Sequence, residues 1–350
     1  MRKTVPFPTV FNNIKNTPEI MRKALIALTA LAITAGACQQ NSQTTDNNND
    51  STGTSKVAKI DVPVPVFQAD SAYAYTAKQV SFGPRIPNTP AQEKCASWLI
   101  SSLRPWADTV YVQRTTVIGP KKEKLPCINI IASFNPAAKQ RILLLAHWDT
   151  RPWADEDAFD KTKKLDGADD GASGVAVLME VARQMRQQKP EAGVDILLVD
   201  VEDYGAKSDE NSFCLGTQYW AHNPHIPGYK ANYGILLDMV GGRNSQFYME
   251  GSSKQYAPAQ MKMFWDVANK LGYSDLFRYE NNGAYITDDH IAVNTIANIP
   301  TFDIIALQAN NDFAPHWHTQ NDNIDVIDRK TLKAVGQTLL QVIYTQPFSY

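Results

Sequence analysis

The stretch RILLLAHWD, residues 141–149, is a continuous apolar run that ends abruptly in His147 and Asp149. Two more runs share its form: VDILLVDVED (194–203), closing on Glu202 and Asp203, and YGILLDMVG (233–241), carrying Asp238. Unbroken apolar runs of this length suit strands covered on both faces, because neither set of alternating side chains then meets water. Between the first two lies GASGVAVLMEVARQMRQQ (171–188), with apolar residues at helical spacing and Gly171 or Ser173 near its start. YAPAQMKMFWDVANKLG (256–272), stopped by Gly272, and RKTLKAVGQTLLQVIYTQ (329–346) read as further helices, and IPTFDIIAL (299–307) as another buried strand. Alternating strands and helices predict an α/β fold: a single globular domain with a central, mostly parallel mixed β-sheet flanked by helices.

Upstream, AYAYTAKQVSFGPR (72–85) and PAQEKCASWLISSLRPWA (90–107) read as helical segments. TVYVQRTTV (109–117) alternates as an exposed edge strand does, and CINIIASF (127–134) follows as its neighbour. No repeat and no second linker interrupts the chain after about residue 60, so residues 61–350 are expected to form one catalytic domain. Hydrophobic residues make up 43% of the 350 and the formal net charge is −2, which offers no electrostatic case for binding nucleic acid.

The N-terminus reads differently. MRKALIALTALAITAGAC (21–38) has a basic start, an apolar stretch of about 14 residues and small residues before a cysteine. That stretch is short for a bilayer span and suits a signal-peptide core. Residues 1–38 are expected to be a signal peptide with a lipobox, its start at Met21 and its lipidation site at Cys38. Residues 39–60 begin with a polar run, QQNSQTTDNNNDSTGTSK, that reads as a flexible tether. The expectation is an exported lipoprotein of the bacterial envelope, facing the periplasm or the cell surface and touching the membrane only through its anchor. Cys95, Cys127 and Cys214 show no zinc-finger or CxxC spacing and are expected to be structural, as buried thiols or with one disulfide.

In parallel sheets ligands bind beyond the carboxyl ends of the strands. His147, Asp149, Glu202, Asp203 and Asp238 should therefore converge, joined by Asp169 and Asp170 of LDGADDGASG (165–174) and the histidines of PHWHTQND (315–322). Carboxylates gathered at one rim repel, a cation relieves that repulsion, and nitrogen-plus-carboxylate ligation suits zinc. On a strand, His316 and His318 would face the same side, as a pair of metal ligands would.

AHWDT, GADDGASG, VEDYG, LLDMVG and HWHTQND stand in the order and approximate spacing of the zinc peptidase family M28, which the chain resembles from about residue 60 onward. HWDTRPWADED (147–157), TDDH (287–290) and the tryptophan before the last histidine are most similar to the glutaminyl-peptide cyclotransferase branch of that family. The resemblance implies an acyltransferase that converts N-terminal glutamine of peptides or proteins into pyroglutamate and releases ammonia. It implies Asp170, Asp203 and His318 as ligands of one Zn2+ per chain, Glu202 as the acid/base, and Asp288 and Asp238 as further catalytic carboxylates. Asp203 stands where animal cyclases carry glutamate. Trp317 matches the indole that packs on the substrate. Animal cyclases also carry a tryptophan shortly after the catalytic glutamate, where this chain reads YGAKSDENSF (204–213); Trp148, Trp153 or Phe313 is expected to supply that wall. Trp220 is expected in the core. His316 falls outside the ligand motif and is expected at the rim or as a donor behind the ligands.

The rival reading is a dinuclear M28 aminopeptidase, whose second zinc would be held by His147 and Asp238, with Asp149 orienting His147. A non-catalytic surface-binding module on the same fold is the third reading, opposed by the full set of ligands and the retained Glu202. With no heptads or evident apolar stripe, the chain is expected to be monomeric.

Overall fold

The structure is a computed structural model that describes residues 63–280, 283–345 and 347–350. The signal peptide, lipobox at Cys38 and tether expected from the sequence lie outside the described residues.

All six strands of the main sheet are the runs anticipated above. β1 (Thr109–Ile118) and β2 (Lys124–Phe134) form an antiparallel pair, with β1 at the edge. β3 (Arg141–His147), β4 (Gly193–Val199) and β5 (Tyr233–Asp238) run parallel at the centre, with β4 antiparallel to β2. Two short strands, β6 (Phe247–Tyr248) and β7 (Phe277–Arg278), pair separately, and β8 (Thr301–Ile305) closes the main sheet parallel to β5. The order is β1-β2-β4-β3-β5-β8, the mixed, mostly parallel sheet expected.

The apolar runs divide their side chains between two cores, as a period of two requires. Ile142, Leu144 and Ala146 of β3 face one core together with Val194, Ile196 and Leu198 of β4. Leu143 and Leu145 face the other, with Leu197, Val199 and Leu236. Helices α1 (Ala69–Val80), α2 (Pro90–Leu103) and α3 (Ala172–Gln187) contribute to the first core. α4 (Leu215–His222) covers the second with Trp220, which is fully buried as expected.

The helix expected over 256–272 is α6 (Pro258–Lys270), and a short helix not anticipated from sequence, α5 (Gly251–Tyr256), precedes it and ends before Ala257. Proline has no amide to donate, so it fits the first turn of a new helix and not the interior of a continuing one. α7 (Asp289–Thr295) and α8 (Arg329–Thr345) complete the helices, α7 on the second core and α8 on the first. Cys95, Cys127 and Cys214 are all free buried thiols. Among the described residues no helix is long and apolar enough to cross a membrane.

PHWHTQND is not a strand. Residues 315–319 form tight turns, and His318 lies in the left-handed region at φ +53°. The strand alternation that would pair His316 with His318 is therefore absent, and each histidine meets a different partner.

Candidate metal centre and cavity

Because β3, β4 and β5 are parallel and in register, with His147 opposite Val199, their polar ends emerge at one edge of the sheet. Asp170 arrives from the loop before α3. That helix is preceded by Gly171 (φ +94°), where a Cβ would lie 2.7 Å from the carbonyl oxygen of Asp149. Only glycine lets the two loops approach that closely. The start therefore has no side-chain cap, and Ser173 instead donates its hydroxyl to the Asp169 carbonyl.

Two groups of ligating side chains form around Asp170. One joins Asp170 to Asp203 and His318: His318 Nε2 lies 3.2 Å from Asp203 Oδ2 and 3.5 Å from Asp170 Oδ2. The other joins Asp170 to His147 and Asp238: His147 Nε2 lies 3.0 Å from Asp170 Oδ1 and 3.2 Å from Asp238 Oδ1. Tetrahedral zinc with bonds of roughly 2.0–2.2 Å places neighbouring donors roughly 3.3–3.6 Å apart, which the His318 group approaches more closely. Asp203 Oδ2 is buried and makes no hydrogen bond, as befits an oxygen reserved for a cation. Two carboxylates and an imidazole thus fit zinc, and Asp170, Asp203 and His318 could hold it.

The surroundings fix these side chains. His318 Nδ1 faces Asp155 Oδ1 at 3.2 Å, and Arg151 grips both oxygens of Asp155 at 2.8 Å. The same guanidinium donates to the Asp203 carbonyl and to Asp203 Oδ1. Asp322 accepts the amides of Asp169 and Asp170, tying the GADD loop to the HTQND segment. His316 bonds Asp169 Oδ2 at 2.9 Å, and Asp169 Oδ1 accepts the Gly241 amide. His316 is therefore a buried donor behind the ligands, with no place at the rim. Asp149 does more than face His147 Nδ1 at 3.5 Å, because its two oxygens also accept the amides of Glu202 and Asp203.

Left-handed residues flank the site's carboxylates and ligand: Val201 before Glu202, Met239 after Asp238, and His318 itself. For a β-branched residue such as Val201 this conformation is a genuine outlier, of the kind that clusters where chemistry is done.

A cavity of about 310 Å³ opens over this edge. Glu202, Asp238 and Asp288 line it together with the three proposed ligands, and Phe213, Tyr285, Phe313 and Trp317 supply aromatic walls. Trp317 stacks on His318 at 3.8 Å between ring centres and contacts Phe313 at 4.3 Å. Trp148 is no part of the wall; it is fully buried and donates its indole N–H to the Ile128 carbonyl. Trp153 packs edge-on against Tyr204, away from the cavity lining. Phe213 and Tyr285 carried no signal in the sequence, because irregular loops deliver both. Arg151 and Asp155 lie in HWDTRPWADED, yet nothing in that motif showed their roles: a carboxylate behind a ligand has no periodicity to betray it.

Burial and the charge of Asp203 push the Glu202 carboxyl well above the usual carboxylate range. Burial carries Asp238 up to about 8 and Asp288 up to about 6. Asp288 uses one oxygen to cap α7 by accepting the Asp289 amide, and its other oxygen is buried without a hydrogen bond. It is at once a helix cap and a cavity residue. Burial opposes protonation of His318, but Asp203 and Asp155 outweigh it and raise the imidazole to about 9. A dication among these carboxylates reverses that logic and favours their ionised forms.

The profile of peptidase family M28 matches residues 129–343, and the chain belongs to that family. Within it, the chain is 26% identical over 270 residues to the glutaminyl-peptide cyclotransferase of Drosophila melanogaster, covering 71% of this chain and 73% of the relative. It is 49% identical to the glutaminyl cyclase of Bacteroides thetaiotaomicron solved with N-acetylhistamine, at a TM-score of 0.79, covering 81% of this chain and all of the other. It is also 50% identical to a leucine aminopeptidase precursor from the same organism, at a TM-score of 0.79, covering 81% of this chain and 99% of the other.

Proposed function

We propose that this enzyme cyclises N-terminal glutamine of peptides or proteins to pyroglutamate, with one zinc held by Asp170, Asp203 and His318. The observation that carries the reading is the cavity: an aromatic slot whose Trp317 wall stacks on a proposed ligand, with Glu202, Asp238 and Asp288 among its lining. Its volume suits a single side chain folded back on its own amine. Similarity to the Bacteroides cyclase supports the same choice.

Zinc bound there supplies Lewis-acid polarisation of the side-chain amide carbonyl. Trp317 and Phe313 hold the glutaminyl chain so that the α-amine lies near the amide carbon, an intramolecular attack favoured by proximity. The new bond joins the α-nitrogen to that carbon, and the carbon–nitrogen bond of the amide breaks. Glu202 takes the proton from the amine and returns it to the leaving nitrogen, which departs as ammonia. The raised Glu202 carboxyl suits a group that must both accept and give a proton near neutral pH. Asp288, with one oxygen fixed on α7, presents the other to the leaving group or to Glu202, while Asp238 stands beside His147.

Purified residues 39–350 should release one ammonia per pyroglutamyl peptide formed from a Gln-peptide, and should contain about one zinc. The second grouping of His147, Asp170 and Asp238 specifically favours the dinuclear aminopeptidase. Two zinc ions per chain and release of free amino acids from assorted peptides would establish that reading in place of cyclisation.

The same proposal places the enzyme outside the cytoplasm, anchored through Cys38 on a polar tether, in support of which stand the lipobox-like TAGAC and the residues after it. Substituting Cys38 by Ala in the full chain should move activity from the membrane fraction to the soluble fraction. Activity that stays with membranes in the variant contradicts the anchor.

A further inference from the structure

Glu202 is held at more points than its neighbours in sequence require. Asp149 accepts its amide, and the Cys214 amide donates to its carbonyl at 2.8 Å. The Leu215 amide donates to the Val201 carbonyl at 3.0 Å, so the first turn of α4 is clamped onto the strained segment carrying the carboxylate. Cys214 itself adopts the left-handed conformation, φ +54°, which side-chain-bearing residues avoid unless the surroundings impose it. That backbone turns its sulfur inward: Sγ lies 3.5 Å from Glu202 Oε1. Glu202, Cys214 and Asp288 each place one polar atom within 4.8 Å of the others.

We propose that Cys214 is a positioning residue for the reaction, its thiol donating to Glu202 and holding that carboxyl in one rotamer facing the cavity. The inference rests on Glu202 acting as the acid/base in the proposed function. A thiol suits the place because it is a donor that remains compact and weakly hydrated beside an apolar wall. Burial keeps it protonated, the form in which it can donate. Its buried position also argues against a nucleophile or a redox switch, both of which need access.

Three variants test this in the zinc-loaded enzyme with a Gln-peptide substrate. Cys214→Ala removes the donor. Cys214→Gly removes it while accepting the left-handed backbone, so that folding is spared. Cys214→Ser keeps a donor of similar reach. Ala and Gly should lower kcat about three- to tenfold, the range one modest hydrogen bond supplies, with KM within about twofold and zinc content unchanged. Ser should restore most of kcat. The inference is overturned if Ala and Gly keep wild-type kcat, if Ser falls as far as Ala, or if the loss lies in KM or in bound zinc. Should the wild-type protein hydrolyse peptides and form no pyroglutamate, the functional proposal fails separately. The same series, read on amino-acid release, then still decides the role of Cys214, because Glu202 serves as the base in either chemistry.

Discussion

Replacing Glu202 by Gln should reduce kcat about 10²- to 10⁴-fold while leaving zinc bound, since that is what a general acid–base group ordinarily contributes. The change is nearly isosteric, and the Glu202 backbone contacts with Asp149 and Cys214 do not use its own side chain. What it removes is a site that can take a proton from the α-amine and pass it to departing ammonia. Peptide binding should change little, because the aromatic walls and the ligands are untouched. Steady-state kinetics with ammonia detection, paired with metal analysis of the same preparation, measures both quantities. Full activity in the variant would remove Glu202 from the mechanism.

Replacing Asp170 by Ala is expected to do more, emptying the centre of metal and taking turnover to background. Asp170 is common to both ligand groups, with Oδ1 toward His147 and Oδ2 toward His318. No other side chain belongs to both. The substitution therefore acts whether the protein holds one zinc or two. Three-ligand zinc sites have no spare donor, so losing a carboxylate leaves two ligands and a weak site. The reading is checked by zinc content after gel filtration, which should fall from about one per chain to near zero, while circular dichroism remains that of the wild type. Zinc retained at wild-type level would transfer the ligand role to another residue.

Much of this architecture was legible in advance because burial on two faces leaves a plain trace. The runs at 141–147, 194–199 and 233–238 had to be interior strands, and parallel strands had to present their acidic ends at one edge. The helical period of 172–187 was equally direct. The start of α6 at Pro258 was readable from the proline itself, whereas the six residues of α5 before it are too few to show a helical period. Only the same-face reading of His316 and His318 failed, because a two-residue repeat pairs side chains only if the backbone is extended, and here it turns; the motif had already set His316 apart from the ligands.

The sequence by itself determined the fold class, the edge at which chemistry would gather and the residue types that hold a metal. Periodicity is a property of neighbours along the chain, and each of these follows from it or from a motif in fixed order. Only the tertiary structure decided the supports: Asp155 behind His318, Arg151 behind Asp155, Asp322 under the GADD loop, Cys214 against Glu202, and Phe213 and Tyr285 in the cavity wall. Apart from the i,i+4 pair of Arg151 and Asp155, which lies within one loop, these residues come together from separate irregular segments, where side-chain direction depends on the path of the backbone and no period records it. That is also why His316, which the sequence set beside a ligand, became the partner of Asp169 instead.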